Sequence, residues 1–121
     1  MIMKMIFLAL LLTVSPQVRF DRMVHDFGTV SVSDGPLGCE FIVTNTGDEP
    51  VSILTVIANC DCTRAEWTRE SIEKGGQGKI KISYSNDEGA YPFDKAVSVY
   101  LSDRSKPYIL HVKGVVTKNG K

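Results

Sequence analysis

Two cysteines one residue apart, Cys60 and Cys62 in "ANCDCTRAEW" (58–67), are the residues of this chain best suited to chemistry. A thiolate is both a nucleophile and a soft metal ligand, so the pair offers three roles: a redox couple, a clamp for an ion such as Cu(I), or a structural staple. In an extended strand the two side chains would share a face with Cα atoms roughly 6.5–7 Å apart. That is the outer limit for a disulfide, so a bond within the pair requires a bend. Asp61, between the cysteines, opposes thiolate formation, and no Cys-x-x-Cys spacing or helix start is present to lower a thiol pKa. Cys39 alternates with Phe41 and Val43 in "GCEFIVTN" and reads as a buried, inert thiol, with a bond to Cys60 or Cys62 as the alternative. Three cysteines leave at least one free or bonded outside the chain.

The other candidates are weaker. His25 and His111 are the only histidines; one opens a strand and the other faces outward from the last, and both read as solvated side chains and not as ligands. His25 and Asp26 cannot form a dyad, because neighbours in a strand point to opposite faces. Asn45 and Asp48 in "NTGDEP" read as turn chemistry; a calcium site would need six or more oxygens. The single tryptophan, Trp67, reads as a lid over one end of the core. With no nucleophile elbow, phosphate loop or His-Glu-x-x-His, no catalytic residue is assigned, and neither metal nor cofactor is expected.

The elements that must position these residues are strands. At 121 residues the chain accommodates one core, and turn residues recur between short runs of period two with no sustained helical period. "GKIKISYS" turns Ile80, Ile82 and Tyr84 inward and Lys79, Lys81 and Ser83 outward. "FDKAVSVYL" does the same with Phe93, Val97, Val99 and Leu101, leaving Lys95 to snorkel. "YILHVKGVV" sets Leu110, Val112, Gly114 and Val116 against His111 and Lys113. "VSILTVIA" (51–58), apolar on nearly every residue, reads as a central strand with both faces partly covered. With an opening strand near "VHDFGTV", about seven strands in roughly 100 residues predict an all-β, immunoglobulin-like sandwich, a small closed barrel being the competing architecture.

The first residues differ in kind. Lys4 precedes the apolar run "IFLALLLTV" (6–14), the arrangement of a signal peptide, and Pro16, Gln17 and Arg19 end it well short of the about 20 residues needed to span a bilayer. We therefore expect a signal peptide over 1–20, a sandwich domain over 21–121, no stable transmembrane anchor after processing, and export to the periplasm or cell envelope. That compartment permits disulfides. Fourteen basic and fourteen acidic residues balance, so no positive field favours nucleic acid.

The order "HDFGTV", "FIVTNTGDEPVSI", "CDCT", a glycine turn and "LHVKGVV" resembles the domain-of-unknown-function 1573 family of exported bacterial proteins, related to sandwiches of the ASH, Hydin and major-sperm-protein kind. The resemblance runs from His25 to about Val116. Asp61 stands where the family pattern has glycine, and Gly75-Gly76 where it often has Pro-Gly. The resemblance implies a non-catalytic binding or scaffold module whose partner is a protein or cell-envelope component. The alternative is a thiol-based Cu(I) or redox protein using Cys60 and Cys62.

Overall fold

The computed structural model describes residues 17–119, so most of the expected leader, residues 1–16, lies outside the described residues. Among the described residues eight strands run in chain order: β1 (Val18–Phe20), β2 (Val24–Ser31), β3 (Leu37–Asn45), β4 (Ile53–Ala58), β5 (Thr63–Trp67), β6 (Gln77–Tyr84), β7 (Pro92–Leu101) and β8 (Tyr108–Thr117). They form two four-stranded sheets, ordered β1-β3-β6-β5 and β2-β8-β7-β4. All pairings are antiparallel except that of β2 with β8. This is the expected immunoglobulin-like sandwich with one strand more than the expected seven.

The period-two faces pack as the alternation requires. Phe41 and Val43 of β3, Ile80 and Ile82 of β6, Val97, Val99 and Leu101 of β7, and Leu110 and Val112 of β8 are all buried between the sheets. Burying a side chain of this size contributes roughly 1.5–3 kcal/mol, so these facing rows hold the layers together. A smaller cluster closes one end, where Tyr84 stacks on Phe93 at 4.0 Å between ring centroids, beside Cys62 and Val116. Gly114 lies opposite Phe93 in the β7–β8 register, and a Cβ there would sit 3.0 Å from the Phe93 ring and 3.1 Å from the Gly28 carbonyl oxygen. The missing side chain lets ring and backbone close together.

Buried polar groups tie the loops to this frame. Asn45, at the end of β3 and 1% exposed, donates through Nδ2 to the carbonyls of Glu49 and Ile72, both at 2.8 Å, and accepts from the Gly47 amide through Oδ1. It therefore performs the turn chemistry read from "NTGDEP", whereas Asp48 makes an exposed ion pair with Lys74. Gly75 takes a φ of 77°, the left-handed conformation that its turn before β6 requires.

One reading of the sequence is corrected and one strand is added. Among the described residues β4 is an edge strand hydrogen-bonded only to β7, not a central one; a register shift between Ile53 and Thr55 breaks the alternation, and Leu54 and Ile57 remain 60% and 46% exposed. β1 was not anticipated. It pairs Val18, Arg19 and Phe20 with Asn45, Thr44 and Val43, and Val18 is buried, so these three residues, read as the end of the leader, take part in the first sheet.

Candidate functional site

Chemistry-bearing side chains converge where the β4–β5 and β6–β7 loops meet at the end closed by Tyr84 and Phe93. Residues 59–62 form a bend and turn, closed by the Thr63 amide donating to the Cys60 carbonyl at 3.1 Å. The turn brings the Cys60 and Cys62 Cα atoms to 5.0 Å, and the sulfurs are joined in a disulfide. The Cys62 amide approaches Cys60 Sγ at 3.1 Å and its carbonyl accepts from the Ser85 amide at 2.7 Å, which ties this turn to the loop after β6. Among the described residues the only non-glycine with positive φ is Asn86, so Asp61 fills the family's glycine position without left-handed strain.

Glu88 is the residue the sequence did not flag. Its Oε1 accepts from the Tyr84 hydroxyl at 2.8 Å and pairs with Lys95 Nζ at 3.1 Å, while Oε2 lies 3.7 Å from Cys60 Sγ. These two partners hold its carboxyl below the usual carboxylate pKa. Burial, and then the Glu88 contact, push the Tyr84 hydroxyl up to about 12. Lys95 is the inward lysine expected to snorkel; its stem runs along the core face of β7 and its ammonium reaches this carboxylate. Nothing in "SNDEG" distinguishes Glu88 from an ordinary loop acid, but a tyrosine four residues earlier is its partner across the loop.

The remaining candidates lie elsewhere. Cys39 faces inward on β3 opposite Ile82 and packs against the main core; its thiol is free, and the cross-link to Cys60 or Cys62 considered from sequence is not made. Burial raises its pKa to about 11 against the smaller opposing pull of Arg22. Neither histidine joins the sulfurs, and neither is merely solvated: His25 Nδ1 contacts Arg22 at 2.9 Å with its ring edge on Phe27, and His111 Nδ1 contacts Asp94 at 2.8 Å. Burial and the nearby Arg22 lower the His25 pKa. Trp67 packs on the main core under the guanidinium of Arg69, 4.1 Å from its ring centroid. A shallow groove of about 550 Å³ crosses the outer face of the first sheet over Gly38, lined by Glu40, Glu66, Arg64 and Lys81. Its charges offset one another and none is buried, so it presents no convergent polar site.

A second surface is apolar. On the outer face of the β2-β8-β7-β4 sheet, Ile57, Ser98 and Ile109 stand in one cross-strand row, and Ala96, His111 and Val24 in the row beside it. Ile57, Ile109 and Val24 are exposed, as is Leu54 at the register shift of the β4 edge. Among the described residues no strand pairs with the outer edge of β4, so strand and strip together present backbone groups flanked by branched apolar side chains.

Two four-stranded sheets packed over a common core define an immunoglobulin-like β-sandwich domain. More narrowly, the chain belongs to the DUF1573 family, described as proteins of unknown function, whose family model matches residues 18–116. That match takes in β1. No curated protein matches the chain. Among solved structures, it is similar to a protein of unknown function from Porphyromonas gingivalis W83, with a TM-score of 0.69 and 17% identity over 81% of this chain and 46% of that one. This chain thus spans less than half the length of that relative. The ASH/PapD-like domain 7 of human CEP192 aligns with a TM-score of 0.63 and 13% identity over 88% of this chain and 91% of that domain. WR4, a C. elegans member of the MSP family, aligns with a TM-score of 0.54 and 9% identity over 85% and 100% of the two chains. At these identities the likeness is one of fold. Among the described residues no helix is long and apolar enough to cross a membrane.

Proposed function

We infer that the domain is an exported, non-catalytic module that binds an envelope protein by taking an extended segment of it alongside β4. The observation that carries this reading is the β4 edge itself. Edge strands are ordinarily blunted by lysine, proline or a covering loop, yet β4 contains none of these charges or prolines and exposes Leu54 and Ile57. An added strand would satisfy the free backbone groups, and Ile57 and Ile109 would give its side chains an apolar footing. The neutral net charge fits a partner recognised by backbone pairing and apolar contact and not by a strong field. Fold likeness to an ASH/PapD-like domain supports a module role by analogy only.

Protein recovered from the envelope fraction tests both parts. Its mass should show a new N-terminus, which we place before Val18 because β1 belongs to the sheet; an intact Met1 in cytoplasmic protein contradicts export. In size exclusion with an envelope extract, the parent should co-migrate with a discrete component. The double variant Leu54→Lys, Ile57→Lys should keep its fold by circular dichroism and lose that component. Undiminished co-migration of the folded variant contradicts binding at β4.

A further inference from the structure

Independently of what pairs with β4, the loop end holds three potential ligand atoms, Cys60 Sγ, Cys62 Sγ and a carboxylate oxygen of Glu88, within 4.8 Å of one another. Glu88 is oriented, not merely near. Tyr84 and Lys95 hold Oε1 and leave Oε2 turned to Cys60 Sγ at 3.7 Å. Around a tetrahedral Zn²⁺, with bonds of about 2.3 Å to sulfur and about 2.0 Å to oxygen, neighbouring ligand atoms stand about 3.5–3.8 Å apart. The sulfur–oxygen separation already has that length, and only the sulfurs, bonded to each other, are too close.

We propose that the Cys60–Cys62 disulfide is a redox gate on a zinc site: closed, it binds no metal; opened, Cys60, Cys62 and Glu88 bind one Zn²⁺ with the fourth position open. A dithiol supplies the two electrons and two protons that convert the S–S bond into two thiols, and itself becomes a disulfide. Zinc binding then displaces the two thiol protons to solvent. The turn at 59–62 keeps the Cα atoms at 5.0 Å, within which reduced sulfurs part to ligand spacing by side-chain rotation. Three anionic ligands leave the Zn²⁺ complex with one negative charge, which the Lys95 ammonium beside Glu88 offsets. Tyr84 and Lys95 are the positioning residues, fixing the ligating carboxylate from behind. The carboxylate ligand selects zinc over Cu(I), which favours sulfur alone.

The test uses the exported chain, reduced with a phosphine under anaerobic conditions, with Co²⁺ as a spectroscopic probe that Zn²⁺ then displaces. Reduced protein should take up one equivalent, with sulfur-to-cobalt charge-transfer and intense tetrahedral bands, and oxidised protein none. Glu88→Gln should weaken binding at least tenfold with the circular dichroism spectrum unchanged, Cys60→Ser should abolish the charge-transfer band pattern of a two-sulfur site, and Cys39→Ser should change nothing. No uptake by the reduced parent, equal uptake when oxidised, equal affinity in Glu88→Gln, or uptake of Cu(I) without Zn²⁺ each overturns the proposal.

Discussion

At the scale of single residues, Cys39 and the Cys60–Cys62 pair show how position in the fold divides three identical side chains into a free thiol and a disulfide. Cys39, between the sheets, is held neutral, its pKa raised from near 9 to about 11. At pH 8 its thiolate population is then roughly a hundredfold below that of the unfolded chain, so iodoacetamide should label Cys39 roughly a hundred times more slowly in native than in urea-unfolded protein. Equal rates would place the thiol in solvent. Because the folded pKa lies above the unfolded one, the native state retains its proton longer. The associated stability is complete below about pH 9 and is lost as pH rises towards about 11. The inward alternation of Cys39 with Phe41 and Val43 was readable in the sequence, as was the need for a bend at Cys60 and Cys62. Glu88 was not, since its role depends on the distance between two loops far apart in the chain, which no local spacing encodes.

At the scale of elements, alternation identified β3, β6, β7 and β8 and the face each buries, because a strand with one wet face carries a period-two signal. It failed for β4: an unbroken apolar run is the signature both of a strand covered on two faces and of an edge strand that leaves its outer apolar side chains exposed. It failed also for β1, whose three residues follow the apolar run of the expected leader without a turn signal to separate them. The β7–β8 packing gives the element-scale prediction. Gly114→Ala should destabilise the domain by about 1–3 kcal/mol in urea denaturation, since its Cβ meets the Phe93 ring and the Gly28 carbonyl at close range. Gly38→Ala, whose Cβ meets only the Ile82 carbonyl at 3.9 Å, should be neutral or slightly stabilising. Equal stability of the two variants would mean that the sheets relax freely at this end.

At the scale of the whole molecule, the sandwich separates a sulfur–carboxylate cluster at one end from an apolar strip and open edge on the β2-β8-β7-β4 sheet. The opposite sheet presents alternating Lys79, Lys81, Glu40, Glu66 and Arg64, a face of offsetting charge suited to solvent. A photoreactive amino acid placed at Leu54, in the full chain expressed in living cells, measures most directly whether the edge is the binding surface, with the same residue at Glu40 on the opposite sheet as the reference. Binding at β4 predicts a discrete crosslinked protein from position 54 and none from position 40. Crosslinks from position 40 alone, or equally from both, would contradict it.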